Sequence, residues 1–153
     1  MQNCFDLVMN TKQPVIARNQ LASTMVFNFL IGNCDAHGKN FSLLHHDAHI
    51  LSLSPLYDLV STMYYPSLSA NMAMKIGNEY KLERIGLHQW EKLCQIIHYN
   101  FSYLKRLIEQ QRSDIIELLD KNKDFYVDVT QNPRFVAAFI QKITTRIHTL
   151  RMQ

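Results

Sequence analysis

The sequence predicts a mainly α-helical chain that contains one small β-hairpin. Apolar residues recur at spacings of three and four over residues 11–31, and again through most of residues 87–150, as they do in amphipathic helices. Between these stretches, two short apolar runs flank a polar turn, which is typical of a hairpin. With only four Gly and four Pro, and neither a linker nor a repeat, we expect one domain over residues 1–153.

The first predicted helix covers residues 11–31. Pro14 suits its first turn, and Gly32-Asn33 suits its end. Its apolar face comprises Leu21, Met25, Val26, Phe29 and Leu30. The polar segment GNCDAHGKN, residues 32–40, predicts a loop between this helix and the hairpin.

The hairpin is predicted from residues 41–45 and 49–53, which flank a turn at residues 46–48. Ser54-Pro55 ends its second strand. A loop with a helical turn is expected over residues 56–70.

The remainder predicts one more strand and then helices. Residues 71–76 form the strand, and residues 87–98 form a helix whose face carries Trp90, Leu93, Cys94 and Ile97. Ser102 is the expected cap of the next helix, and Asn132-Pro133 the expected start of the last one. The apolar residues of these two helices are Leu104, Leu107, Ile108, Ile115, Leu118 and Leu119, and Phe135, Val136, Phe139, Ile143, Ile147 and Leu150.

Composition excludes several classes of protein. The chain is 47% hydrophobic and 19% charged, which excludes global disorder. We expect no membrane span, because no apolar run reaches about 18 residues, and no signal peptide, because the start lacks a basic and an apolar region. The net charge of +3 is too small to indicate a nucleic-acid binder. Three widely spaced cysteines, Cys4, Cys34 and Cys94, favour a reducing compartment and a cytoplasmic location.

The loop at residues 32–40 carries the candidate functional residues. Its Asp35-x-x-x-x-Asn40 spacing suits phosphoryl transfer, in which an Asp takes the proton of the attacking hydroxyl and the Asn holds Mg²⁺. A second carboxylate must come from another segment, and Asp58 is the natural supplier. The same spacing also arises by chance, in which case Asp35 caps a turn and Asn40 satisfies backbone groups.

Two longer motifs extend this pattern. Phe27–Ile31 followed by GNCDAHGKNFSLL, and LSPLYDLVST at residues 53–62, resemble the C-terminal lobe of the HipA-like serine/threonine kinases, toxins of bacterial toxin–antitoxin systems. Residues 71–77 add to the likeness. The resemblance implies a mainly α, protein-kinase-like C-lobe with a small β-hairpin after the catalytic loop. Its specific part covers about residues 27–77, and the later helices match only in general character.

The resemblance implies a role for each residue of the two motifs. Asp35 is the expected catalytic base, and Asn40 and Asp58 are the expected Mg²⁺ ligands at an ATP site. His37 and Lys39 match the catalytic-loop pattern, His37 as a structural anchor or as a satisfied structural histidine, and Lys39 near the transferred phosphate. Asn33 is expected to brace the loop, and we expect Tyr57 to pack in the core.

The resemblance also implies an activity and partners. The activity is transfer of the ATP γ-phosphate to a protein hydroxyl, on a target such as an aminoacyl-tRNA synthetase or on the kinase's own serine. The expected partner is a HipB-like antitoxin, through which alone nucleic acid would be contacted. No membrane contact is expected, and a homodimer is an open possibility.

A kinase also needs a nucleotide lobe with a glycine-rich loop and a strand lysine. Only 34 residues precede Asp35, and the first glycine is Gly32. We therefore expect the N-lobe to be absent from this sequence, as in a fragment, a truncated gene product or one chain of a split kinase. The alternative function is a non-catalytic module that binds an antitoxin or a separate N-lobe chain. Either way, we expect little catalysis by the chain alone.

The sequence offers two other candidate sites, a metal cluster and a cysteine nucleophile, and one candidate interaction surface. His45, His46, Asp47 and His49 could form a zinc cluster, but strand alternation points His45 and His46 to opposite faces, so an exposed hairpin tip is favoured. Cys34 could be a nucleophile, but the adjacent Asp35 would raise its pKa. If an apolar face of Phe27, Phe41, Leu56 and Met63 is exposed, the chain should dimerise or seek a partner.

Overall fold

A computed structural model describes residues 1–47 and 50–150. The described residues form six helices and two antiparallel strand pairs, as the sequence predicts in its main lines. The helices are α1 (Gln2–Val8), α2 (Pro14–Ile31), α3 (Leu87–Ile97), α4 (Phe101–Lys121), α5 (Lys123–Thr130) and α6 (Pro133–Thr149). Across these residues, no helix combines the length and apolar character that crossing a membrane requires.

Helix α2 lies at the centre of the core. Its residues Leu21, Val26 and Phe29 are fully buried, and the helix packs against α1, α4 and α6. The Phe29 ring meets the fully buried Trp90 ring of α3 edge to face, with centroids 5.4 Å apart. Since aromatic pairs of this geometry favour a fixed orientation, they hold the C-terminal end of α2 rigidly under the loop that follows.

Two antiparallel strand pairs follow α2 in the chain. Strand β1 (Leu43–His45) pairs with β2 (Leu51–Leu53), in the register Leu43 to Leu53. Strand β3 (Asn71–Ile76) pairs with β4 (Glu79–Lys81). The predicted hairpin is thus confirmed, although its strands are shorter than expected. The predicted turn extends to Ala48, and the second strand begins at His49, which both lie outside the described residues.

Several element boundaries agree with the sequence, and others differ. The strand at residues 71–76 and the start of α6 are as predicted, with the Asn132 side chain accepting a hydrogen bond from the Phe135 N–H. Ser102 is not the cap of α4. Asn100 caps it, accepting a hydrogen bond from the Tyr103 N–H at 2.8 Å, and Ser102 lies in the first turn.

The remaining differences concern short elements and one apolar side chain. Helices α1 and α5 and strand β4 were not predicted, because seven, eight and three residues carry too little periodicity to detect. The helix expected from residue 11 begins at Pro14. Leu118, placed by its spacing on the apolar face of α4, is 54% exposed, because that face meets α2, α3 and α6 mainly through its N-terminal and central turns.

Candidate active site

The loop after α2 begins with a residue that has to be glycine. Gly32 adopts a left-handed conformation, φ 68°, and ends the helix with its N–H bonded to the Phe29 carbonyl. A Cβ at this position would overlap Sδ of Met63. The chain therefore turns tightly out of the helix and directly against the segment around residue 63.

Asn33, the next residue, is 1% exposed and joins three parts of the site. Its amide Nδ2 donates to Asn28 Oδ1 at 2.9 Å and to the carbonyl of Asp58 at 3.1 Å. Its Oδ1 accepts from the Asp35 N–H at 3.2 Å. Asn33 thus holds the backbones of Asp35 and Asp58 on one buried side chain, the bracing role expected of it.

The segment after Asp58 bonds to the same turn. The Ser61 hydroxyl donates to the Ile31 carbonyl at 2.6 Å, and the Thr62 hydroxyl accepts from the Cys34 N–H at 2.8 Å. Farther along, the Ala73 N–H of β3 donates to the Cys34 carbonyl at 2.8 Å. Three segments that are distant in sequence are therefore fixed to one another directly below the candidate residues.

The two predicted metal ligands lie in direct contact. Asn40 Nδ2 donates to Asp58 Oδ2 at 2.5 Å, and Asn40 Oδ1 accepts from the His37 N–H at 2.9 Å. Asn40 therefore also satisfies a backbone group of its own loop, as the alternative interpretation expected. Asp58 is left-handed, φ 58°, a conformation that Asp tolerates better than most residues.

Asp35, His37 and Lys39 lie on the same loop with exposed side chains. Gly38, Lys39 and Asn40 form a short 3₁₀ turn that Asn40 closes by donating its backbone N–H to the His37 carbonyl at 3.0 Å. The structure thus gathers the five candidate residues on one loop and the segment bonded to it. His37 enters the hydrogen bonds of the loop through its backbone N–H and carbonyl, while the residue itself is exposed.

Tyr57 is not the core residue that was expected. Its side chain is 44% exposed, and its hydroxyl donates to the Lys39 carbonyl at 2.6 Å. The Tyr57 hydroxyl oxygen is also 2.7 Å from Ser42 Oγ. Tyr57 lies here because Asp58, its neighbour, is held by Asn40, so the phenol reaches across to the loop instead of into the core.

Arg146 of α6 is a supporting residue that the sequence did not reveal. Its Nε and Nη2 donate to the Phe29 carbonyl at 3.1 and 2.8 Å, and its guanidinium lies 4.8 Å from the Phe29 ring centroid. Burial lowers the pKa of Arg146 to about 10, and the nearby Cys34 offsets part of that effect. The one signal in the sequence is that Arg146, a basic residue, falls among the apolar residues on the buried face of α6.

Cys34 has no sign of an activated nucleophile. It is buried, and burial raises the pKa of its thiol, an effect that the Thr62 hydroxyl and Arg146 partly oppose. The expected direction is confirmed, but the main cause is burial and not the adjacent Asp35. Cys34 serves the site through its backbone, which bonds to Thr62 and to β3.

The hairpin tip and the apolar face complete the list of predicted sites. Within the part of the chain that the structure describes, no group of three or more His, Cys, Asp or Glu side chains is suited to holding a metal. His49, one member of the zinc cluster considered from the sequence, lies outside that part. His46 instead pairs through Nε2 with Ser52 Oγ at 2.8 Å.

Of the proposed apolar face, only Leu56 is exposed, since Phe27, Phe41 and Met63 pack against the core.

This arrangement places the Asp58 carboxylate against the Asn40 side-chain amide, with a second carboxylate, that of Asp35, on the same loop as Asn40. Oxygen ligands of this kind suit a hard divalent cation, and Asn40 Oδ1 retains a lone pair beyond the one it gives to His37. Asn40 and Asp58 are the residues that would hold such an ion. The donor set is therefore of a kind that suits a divalent cation.

The fold and this order of loop, hairpin and Asp58 segment are those of a protein-kinase-like C-terminal lobe. The HipA-like C-terminal domain family matches residues 1–122, and the chain belongs to that family. A solved structure of HipA from Shewanella oneidensis, in complex with HipB and its operator DNA, superimposes with a TM-score of 0.79 over 97% of this chain and 35% of that one, at 23% identity.

Two curated relatives are similar in sequence. A putative kinase, Y4mE, of Sinorhizobium fredii is 33% identical over 132 residues, which is 83% of this chain and 31% of the relative. The serine/threonine-protein kinase toxin HipA of Shewanella oneidensis is 30% identical over 122 residues, which is 75% of this chain and 28% of the relative. The chain thus matches less than a third of the length of either relative.

Proposed function

We propose that this chain is the C-lobe of a HipA-like serine/threonine protein kinase, which transfers the ATP γ-phosphate to a protein hydroxyl once a nucleotide lobe completes the site. The contact between Asn40 and Asp58 carries the proposal, because it brings the two candidate metal ligands together. Asn33 bonds the Asp58 backbone and the Asp35 backbone to one side chain, which ties the candidate base to the same region. The nucleotide lobe belongs to the same kinase or to a separate chain.

In this proposal each exposed group has one task. Asp35 accepts the hydroxyl proton as the bond from the substrate oxygen to phosphorus forms and the bond to the ADP oxygen breaks. Asn40 and Asp58 hold the magnesium ion, which supplies charge neutralisation of the phosphates. The Lys39 ammonium stabilises negative charge on the transferred group.

The partners follow from the relatives. The Shewanella structure contains HipB and operator DNA together with HipA, so the proposal includes a HipB-like antitoxin for this chain. An aminoacyl-tRNA synthetase, or the kinase's own serine, stays the predicted substrate. The three cysteines are free, which suits action in the reducing cytoplasm.

The test is a titration of the chain with Mn²⁺, followed by electron paramagnetic resonance, and with Mg²⁺ and ATP by calorimetry. Asp58→Asn should weaken Mn²⁺ binding at least about tenfold, because one ligand charge is lost. Asn is chosen since it tolerates the left-handed backbone of residue 58. Asp35→Asn should leave Mn²⁺ affinity within about threefold, because a base is not a ligand.

Asp47→Asn is the matched control, since Asp47 is another exposed aspartate and lies on the hairpin. It should bind Mn²⁺ as the unsubstituted chain does. Equal Mn²⁺ affinity in the Asp58→Asn and Asp47→Asn variants would contradict the proposed metal site.

The second candidate is a non-catalytic module that binds an antitoxin or a separate N-lobe. Exposed apolar side chains beside Asp58 favour it, with Leu56 46%, Leu59 40% and Val60 44% exposed. This function would survive Asp58→Asn. Two results together would favour this second candidate over the kinase. A HipB-like antitoxin, or a separately expressed N-lobe, would co-purify with the Asp58→Asn variant, and the unsubstituted chain would bind no Mn²⁺.

A further inference from the structure

The hydroxyl of Tyr57 occupies an unusual position in the candidate site. It donates to the carbonyl of Lys39, the residue that precedes Asn40, while Tyr57 itself precedes Asp58. One hydrogen bond of 2.6 Å therefore joins the side chain that precedes Asp58 to the backbone that precedes Asn40. The neighbouring contact between the Asn40 amide and the Asp58 carboxylate is a side-chain contact that a bound cation would have to rearrange.

We propose that Tyr57 is a positioning residue whose hydroxyl sets the separation between the loop at residues 35–40 and Asp58. The inference rests on the proposed function, in which that separation is the metal site. With this bond in place, Asn40 and Asp58 remain at a fixed distance when their own contact opens for an ion. Without it, the exposed loop has to be ordered each time an ion binds, which lowers affinity.

The hydroxyl, and not the ring, carries this role. The Tyr57 side chain is 44% exposed, and Tyr57→Phe keeps whatever area the ring buries, so this substitution removes the hydroxyl alone. At the tip of the loop that it holds, the position of a Gly38 side chain is open space, and the adjacent His37 and Lys39 are exposed. The hydroxyl is also 2.7 Å from Ser42 Oγ, and the Ser42 carbonyl accepts from the Ser54 N–H at 2.9 Å, which extends the link to the hairpin.

The test compares Tyr57→Phe with Tyr80→Phe. Tyr80 is the matched control, since its side chain is also 44% exposed and its hydroxyl makes no hydrogen bond within residues 1–47 and 50–150. Two quantities are measured on each chain: Mn²⁺ affinity by electron paramagnetic resonance, and amide hydrogen exchange resolved by residue with nuclear magnetic resonance. The amides that report on the loop are those of His37, Asn40 and Phe41, which all bond within it.

In Tyr57→Phe we expect Mn²⁺ affinity to fall roughly threefold to tenfold, the effect of losing one net hydrogen bond. Exchange at the three loop amides should accelerate by a similar factor. The unfolding midpoint and exchange in α3 and α4 should stay unchanged, which separates positioning from a general loss of structure. Tyr80→Phe should change none of these quantities.

The outcomes distinguish this inference from the proposed function. Unchanged loop exchange in Tyr57→Phe overturns the inference, whatever the metal does. Faster exchange with unchanged Mn²⁺ affinity, while Asp58→Asn abolishes binding, also overturns it and leaves the proposed metal site intact. If the unsubstituted chain binds no Mn²⁺, the proposed metal site fails, Tyr57 has no such site to set, and the inference falls with it.

Discussion

The candidate site has two layers that differ in burial and in chemistry. The lower layer, which we call the floor, comprises Gly32, Asn33, Ser61 and Thr62; it is buried or half-buried, and its polar groups are hydrogen-bonded to one another or to nearby backbone. The upper layer, the rim, comprises Asp35, His37, Lys39 and Asp58, whose side chains are exposed, together with the half-buried Asn40. Positioning and the chemistry of the proposed function therefore fall to separate residues.

This separation has a physical reason. A buried polar group has to be hydrogen-bonded, since an unsatisfied one costs about 1–3 kcal/mol, so the floor can take only one arrangement. Exposed rim groups are solvated in several arrangements and can reorganise around a ligand, such as the phosphate and metal of the proposed function. Substitutions in the floor should therefore change stability, whereas substitutions in the rim should change binding with little effect on stability.

The largest effect on stability is expected from Gly32→Ala in the floor. Left-handed strain and overlap with Met63 together should lower the free energy of unfolding by about 2–5 kcal/mol. Urea denaturation measures this loss. Gly38→Ala is the control on the same loop, where a Cβ meets open space, and it should change stability by less than about 1 kcal/mol. Equal losses in the two variants would contradict the tight turn at Gly32.

A smaller effect is expected from Asn33→Ala. The substitution leaves Asn28 Oδ1, the Asp58 carbonyl and the Asp35 N–H without their partner, so it should cost about 2–3 kcal/mol in urea denaturation. Asn3→Ala, at an exposed position of α1, is the control and should stay within about 0.5 kcal/mol. If Asn33→Ala is equally mild, Asn33 does not brace the two segments.

The rim was easier to predict from sequence than the floor. Asp35, Asn40 and Asp58 are recognisable because phosphotransfer needs those residue types in that order, whatever the packing below them. The Tyr57 hydroxyl and Arg146 were missed, since their partners are backbone carbonyls, and any residue supplies a carbonyl. Contacts of this kind leave no pattern in the sequence.

The same distinction holds for the fold. The strand at residues 71–76 and the start of α6 were predicted with the right boundaries, because Gly77 and the Asn132-Pro133 pair mark them locally. The cap of α4 was misplaced by two residues, since both Asn100 and Ser102 are good caps and only the Tyr103 N–H decides between them. The long periodic helices were predicted, and the short helices α1 and α5, with seven and eight residues, were not.

The smallest effect is expected from Cys34, which belongs to the floor by position. Its thiol is buried and burial raises its pKa, so at pH 8 a thiol reagent should label the half-buried Cys4 first and Cys34 only after unfolding. Cys94 should behave like Cys34, because burial raises its pKa to about 11. The unfolded chain loses that thiol proton first, so stability that is complete below about pH 9 should decline as the pH rises toward 11.

Mass spectrometry of the labelled chain identifies which cysteine has reacted, and Cys34→Ala shows whether the thiol matters to the site. This variant should retain the Mn²⁺ affinity of the unsubstituted chain, since Cys34 contributes only backbone groups to the floor. Rapid labelling of Cys34 in the folded chain, together with weakened Mn²⁺ binding in Cys34→Ala, would place that thiol in the rim. The division between a positioning floor and a chemical rim would then be wrong at the residue next to Asp35, and a nucleophilic role for Cys34 would have to be considered again.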